Sequence, residues 1–244
     1  MSEGQSALST EEIDALLGGV DLPLGAKKEY KYFTPTGDAV DRWVQYAKGS
    51  EDCFYLGLDE IDQRMRGVWP SDVLVVTGRA HSGKSAVLLS SLAWNLKEDE
   101  EFHGVIFTPD EPEVLVVAKL YALLYQRNLA EVEQALAAED PLYMAEIMEA
   151  KERYLDRLKI FPSALKFPQM SEAMRECEDY WQYKPKFVMV DFLEQLPMAS
   201  GYEGVSKVLK NLKEWTETEN LPVGLVHQSG KGSTRGSSRG MDDG

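Results

Sequence analysis

Eight residues concentrate the chemistry of this sequence: Gly78-Arg79-Ala80-His81-Ser82-Gly83-Lys84-Ser85. Two glycines bracket four variable positions, and a lysine and a serine follow the second glycine. That spacing, between an apolar run and a leucine-rich stretch, suits a cradle for phosphate groups. Backbone N–H groups converge on phosphate oxygens at the positive end of a following helix, and glycine lets the chain approach them closely. Lys84 is then placed to reach the terminal phosphates and Ser85 to ligate an accompanying Mg2+. The contact stretch is expected to run from Gly78 through Ala86. His81 reads as a solvated or packing residue rather than a catalyst.

Phosphate chemistry of this kind also needs carboxylates. One must stand at the end of a hydrophobic strand to hold the metal. Phe187 to Val190 is such a strand, and Asp191 follows it. A second acid must orient or deprotonate the attacking water, and it should project from the carboxyl end of a neighbouring strand. Asp110 and Glu111 both qualify, because they follow an apolar run at Val105 to Thr108. Both could equally sit in the first turn of the next helix, where its dipole favours acids.

The elements that must position these residues follow from hydrophobic periodicity. Strands are predicted at Val73 to Thr77, Val105 to Thr108, Leu158 to Phe161, Phe187 to Val190 and Val223 to Val226. Helices are predicted at Lys84 to Lys97, Pro112 to Tyr125, Leu129 to Ala138, Leu142 to Leu158, Met170 to Tyr183 and Val205 to Thr218. Strands separated by helices require crossovers, so the fold class is α/β, with a largely parallel sheet covered on both faces. Tyr121, Tyr125, Tyr180 and Trp181 fall at helical spacings and are expected in the core.

Residues 1–49 form a different region, short of any sustained apolar period, and residues 50–244 form the core domain. Within the tail, Ser9 stands three residues before Glu12, the capping-box spacing, and Ile13, Leu16 and Leu17 share a face before Gly18. One short amphipathic helix is predicted there. It resembles the N-terminal peptide of flagellar motor switch proteins, which docks on a partner, so a protein partner is the expectation. The end of the chain, from Ser229, is rich in Gly and Ser and expected to be mobile.

The chain has 244 residues, 43% of them hydrophobic and 27% charged, which suits one domain of ordinary size with an appendage. No apolar run approaches the roughly 18 residues of a membrane span, and the acidic start is unlike an export signal. A cytoplasmic location without membrane contact is therefore expected. Cys53 and Cys177 are far apart and lack metal-ligand spacing, so both read as plain thiols. The net charge of −15 excludes a protein that coats nucleic acid by overall electrostatics. Lys97 to Glu152 holds 14 acidic and 4 basic residues, whereas Ser229 to Gly240 holds three basic and none acidic.

Taken in order, these segments resemble a RecA-fold P-loop ATPase, and within that class the ATPase domain of DnaB-type replicative helicases. The resemblance runs from about Phe54 to Lys231. "LGLDEIDQRMRGVWPSDVLVVTGRAHSGKS" is similar to the family's entry strand and nucleotide loop. "FTPDEPEVLVVAKL" resembles the segment of the catalytic acid, which places that role on Asp110 with Glu111 one step away. "VMVDFLEQL" resembles the metal-binding strand. "GVSKVLKNLKEWTETENLPVGLVHQSGKG" is similar to the helix, strand and polar loop in which Gln228 would sense the γ-phosphate and couple it to DNA.

The resemblance implies Mg-ATP hydrolysis, single-stranded or forked DNA as partner, a role in replication or recombination, and a homo-oligomeric ring or filament. DNA contacts would fall on the loop after Asp191, leading to Lys207, Lys210 and Lys213, and on the tail with Lys231, Arg235 and Arg239. Ala80 departs from the family's usual proline, and Asp110 from its usual glutamate. The family continues past its polar loop with strands carrying a basic finger for the neighbouring subunit's site. The expectation is a fragment, or a version without the finger in its usual place. Two other functions fit the residues: a metal-dependent nuclease using Asp110, Glu111, Asp191 and Glu194, and a non-motor module in which ATP switches assembly.

Overall fold

Five short apolar runs become five strands of one sheet: β1 Val73–Gly78, β2 Gly104–Phe107, β3 Leu158–Phe161, β4 Phe187–Val190 and β5 Val223–Gln228. In the computed structural model, which describes residues 36–37, 39–40, 43–44, 53–197 and 201–228, their order is β1-β5-β4-β2-β3. Every neighbouring pair is parallel. Seven α-helices connect or precede the strands of this part: α1 Asp59–Met65, α2 Lys84–Glu98, α3 Glu113–Tyr125, α4 Leu129–Ala137, α5 Pro141–Arg153, α6 Phe167–Trp181 and α7 Gly201–Glu219.

The chain divides into two units, Met1–Lys48 and Gly49–Gly244. The described residues of the first unit are helical. They differ from the irregular tail that the sequence suggests, although Val40, Trp43 and Val44 keep the i, i+3, i+4 spacing of one helical face. The amphipathic helix predicted around Ser9 to Gly18 lies outside the described residues.

Side-chain alternation sorts the second unit into layers. On β2, Ile106 enters one apolar cluster with Leu88, Leu92 and Leu96 of α2 and Leu120 of α3, together with Phe187 and Met189 of β4. Val105 and Phe107 enter the opposite cluster, with Val188 and Val190 of β4, Met170 and Met174 of α6, and Leu212 and Trp215 of α7. Both β2 and β4 are buried along their whole length, as expected for central strands covered on two faces. At Gly224 of β5, an added Cβ would lie 2.5 Å from Phe187 Cζ and 3.2 Å from Leu88 Cδ2, so the glycine makes room for the side chains that seat α2.

Helix α2 carries the nucleotide-type loop at its start and is held along its length. Ser91 Oγ donates to the Leu56 carbonyl at 2.8 Å, and Asn95 Nδ2 donates to the Tyr55 carbonyl at 2.6 Å. At its far end, Arg157 donates to the carbonyls of Leu96 (2.5 Å) and Asp99 (2.7 Å). A cation at a helix C-terminus also complements the dipole.

Several boundaries differ from expectation. α6 begins at Phe167, three residues early, with Pro168 in its first turn where no N–H is needed. The long helix predicted to Leu158 stops at Arg153, and a 3₁₀ turn, Leu155–Arg157, leads into β3. α1 was not expected; the Asp62 carboxylate stabilises its entry by accepting N–H bonds from Leu56 (2.8 Å) and Leu58 (2.9 Å). Tyr121 is buried, but Tyr180 is 69% exposed rather than in the core. Lys159 Nζ sits 4.0 Å from the Tyr180 ring centroid, and this cation–π contact occupies the ring at the surface. Both cysteines are buried thiols without a disulfide. No helix among the described residues is long and apolar enough to cross a membrane.

Candidate functional site

Because all five strands are parallel, their carboxyl ends share one edge, and a crevice opens there where connections leave for opposite faces. Gly78 ends β1, Thr108 to Glu111 follow β2, Asp191 follows β4 and Gln228 ends β5. At this edge lies a cleft of about 810 Å³, whose walls include the loop from Ala80 to Ala86, Thr108, Asp110, Glu111, Lys119, Asp191 and Gln228, but not Gly78.

The loop is built as its sequence requires. Gly83 has φ of 83°, a left-handed conformation that favours glycine, and it caps α2 without any side-chain hydrogen bond. The first amides of a 15-residue helix are thus left for an anion at its positive end. Lys84 Nζ arches back and donates to the Arg79 carbonyl at 2.6 Å. The ammonium is therefore held over the loop, by one exposed bond that a phosphate oxygen can replace.

Asp191 is 8% exposed. Its N–H donates to the Phe107 carbonyl at 2.8 Å, fixing the residue against β2. Burial pushes its carboxyl above the ordinary aspartate range; the neighbouring Ser85 hydroxyl pulls the other way. Glu111 and Asp110 add further upward pressure, and the Lys119 ammonium opposes them. Ser85 and Asp191, predicted from separate segments to share a metal, thus line the same cleft. The Asp191 carboxylate and the Ser85 hydroxyl are hard oxygen donors of the kind Mg2+ takes. No three His, Cys, Asp or Glu side chains among the described residues gather as a metal-ligand cluster, so the four acids considered for a nuclease do not form one.

The two candidate acids have different surroundings. Glu111 forms an ion pair with Lys119. Asp110 is exposed, and its one side-chain hydrogen bond among the described residues comes from Gln195 Nε2, at 3.4 Å. The Gln228 N–H donates to Glu194 Oε1 at 3.0 Å, which leaves the Gln228 side chain facing the cleft.

Sequence reasoning missed Lys119 and Gln195, and it considered Glu194 only as a metal ligand of a nuclease. Leu115 and Lys119 stand four apart, so one face of α3 carries both to the cleft beside Glu111, which precedes the helix, and that spacing could have exposed Lys119. Glu194 and Gln195 gave no comparable signal, because their partners are 34 and 85 residues away.

The expected DNA-contacting lysines are dispersed. Lys207 borders a small apolar pocket with Leu196 and Pro197. Lys210 faces Glu214 at 3.8 Å, both exposed. Lys213 donates to the Ser71 carbonyl at 2.6 Å and faces Glu217 at 3.4 Å. Lys231, Arg235 and Arg239 lie outside the described residues.

The DnaB-like helicase C terminal domain family matches residues 54–239. The chain belongs to this family. Among solved structures, it is similar to a DnaB-like replicative helicase, described with its interactions with primase. That match has 15% identity and a TM-score of 0.67, and covers 91% of this chain and 52% of the other. It is also similar to a second solved structure, described as an ATPase domain, at 14% identity and TM-score 0.67, over 82% of this chain and 72% of that one. At such identities the likeness is one of fold, and the chain spans about half the length of the replicative helicase. No curated protein matched the sequence. The family match and the parallel sheet agree with the RecA-type ATPase fold expected from the sequence.

Proposed function

We propose that this DnaB-family chain is a DNA-dependent ATPase. It binds Mg-ATP in the cleft at the carboxyl edge of the sheet and acts on single-stranded or forked DNA in replication or recombination. The observation that carries this reading is that Ser85, at the start of α2, and the buried Asp191, at the end of β4, line one cleft with the lysine-bearing loop.

On this reading the loop amides and Lys84 hold the phosphates, Lys84 exchanging the Arg79 carbonyl for a phosphate oxygen. Ser85 and Asp191 hold the metal. Bound Mg2+ would supply charge neutralisation on the β- and γ-phosphates. Asp110 is the acid free to accept a proton from, or orient, the attacking water, since Lys119 engages the Glu111 carboxylate. Gln228 presents its amide to the γ-phosphate. A neighbouring copy of the chain in a ring or filament would complete each site, DNA would contact the loop after Asp191 and the basic tail, and the first unit would recruit a protein partner.

The test is ATP turnover by the full chain with Mg2+, with and without single-stranded or forked DNA, compared between wild type and Lys84→Ala. Turnover that DNA increases in the wild type, and that disappears in the folded variant, is expected. Equal turnover in both would overturn the assignment.

A further inference from the structure

The segment between Asp191 and Pro197 is the single turn Leu193–Gln195, fixed from below by Leu193 and Leu196, which are 0% and 5% exposed. Its backbone closes with Gln195 N–H to the Phe192 carbonyl at 3.1 Å and Leu196 N–H to the Leu193 carbonyl at 3.0 Å. The two polar side chains between the leucines point away from the core in opposite directions along the sheet. Glu194 reaches β5, where Oε1 accepts the Gln228 N–H at 3.0 Å and lies 2.8 Å from His227 Nδ1. Gln195 reaches the loop after β2, where it donates to Asp110 Oδ1 at 3.4 Å. Since β4 lies between β5 and β2, the turn at its end has one arm to each neighbour.

We infer that Glu194 and Gln195 are positioning residues, and that their turn is a relay joining Gln228, Asp191 and Asp110. This rests on the roles proposed above for those three residues. The Gln228 backbone cannot shift without breaking its bond to Glu194 or displacing the turn, and displacing the turn moves the partner of Asp110. A change sensed at the end of β5 is thereby transmitted across the metal-bearing strand to the acid beside the water. Glu194 Oε2 is buried without a hydrogen-bond partner among the described residues, and His227 Nδ1 is close but not aligned for a hydrogen bond.

The experiment uses the full chain and the variants Glu194→Ala, Glu194→Gln and Gln195→Ala. Three quantities are measured: affinity for a fluorescent ATP analogue, ATP turnover with and without single-stranded DNA, and hydrogen exchange of the amides in 223–228. Glu194→Ala is expected to bind nucleotide within about 2-fold of wild type while turnover falls about 10- to 100-fold, the usual range for outer-shell partners of a site. The Gln228 amide should exchange about 5-fold faster or more, having lost its acceptor. Glu194→Gln keeps an acceptor oxygen and should recover most of both. Gln195→Ala changes an exposed side chain, so it should fold, and it should lower turnover without changing exchange at Gln228. If Glu194→Ala does not fold, Gln195→Ala and Glu194→Gln carry the test. Wild-type turnover in Gln195→Ala, or unchanged Gln228 exchange in folded Glu194→Ala, would overturn the relay while leaving the ATPase assignment intact. A wild-type chain that neither binds nor turns over ATP would instead overturn the assignment beneath it.

Discussion

Replacing Asp191 by Asn should make the ligand-free protein more stable and nearly abolish its stabilisation by Mg-ATP. The carboxylate is almost fully buried, its carboxyl is held above the ordinary range by that burial, and Glu111 and Asp110 add to the strain. Asparagine has the same shape, can still accept from Ser85, and can donate its amide to the neighbouring acids. What the substitution removes is charge. Relieving an unfavourable charge commonly contributes about 0.5–2 kcal/mol, and at roughly 2–4 °C per kcal/mol for a domain of this size, Tm should rise by about 1–8 °C. Wild-type protein at a hundredfold excess of Mg-ATP over Kd gains about 2.7 kcal/mol, or roughly 5–11 °C. The variant, lacking the anionic metal ligand, should gain only a small fraction of that. Differential scanning fluorimetry of both proteins, with and without Mg-ATP, reads the crossing directly. A variant less stable than wild type when ligand-free would refute the account of Asp191 as an electrostatically strained residue. A full Mg-ATP shift in the variant would move the metal elsewhere.

Other substitutions address the remaining parts. Asp110→Asn should bind ATP yet fail to hydrolyse it, whereas Glu111→Gln should retain most turnover; single-turnover assays separate the two, and the reverse result transfers the role to Glu111. Gly224→Ala should cost about 1–3 kcal/mol by overpacking, because the new methyl would meet Phe187 Cζ at 2.5 Å; an unchanged melting temperature would show that the core yields there. Burial pushes the Cys177 thiol from 9.0 up to about 11, so it should resist thiol reagents at pH 8 in the native state. The unfolded thiol loses its proton first, so stability should fall as pH rises from about 9 to 11, and chemical denaturation across that range, with Cys177→Ala as reference, measures the loss.

The strands were legible because each is a run of four or so apolar residues, and burial on both faces demands that composition. The loop was legible because Gly83 must adopt a positive φ and Lys84 and Ser85 must follow it directly. Asp191 could be paired with Ser85 from the chemistry that both serve, although 106 positions separate them in the chain. Geometry that depends on strand order could not be foreseen. Nothing local to "DFLEQL" says that β5 lies on one side of it and β2 on the other, so Glu194 looked like a candidate metal ligand and Gln195 like an ordinary polar residue. Lys213 looked like part of a basic face, yet the Ser71 carbonyl, 142 residues away, takes its ammonium. Tyr180 kept the spacing of a core residue, but the sequence could not show that α6 turns that position outward toward Lys159.

Arg157 gives the nucleotide loop an anchorage remote from its own strand. β1 is an outer strand of the described sheet, and Val75 in it is 43% exposed. The helix that follows it is gripped at the other end by a guanidinium leading into β3, the opposite outer strand. Mechanically, α2 is a beam braced along its length, clamped at its far end and loaded at its tip. Force from phosphates arriving at Gly83 runs down the helix axis into the distant border of the sheet rather than into the flimsier strand beside them. Tension applied through β1 should accordingly peel that strand away before it disturbs the helix, and a chain held by its β3 side should keep its phosphate-binding tip in register under load.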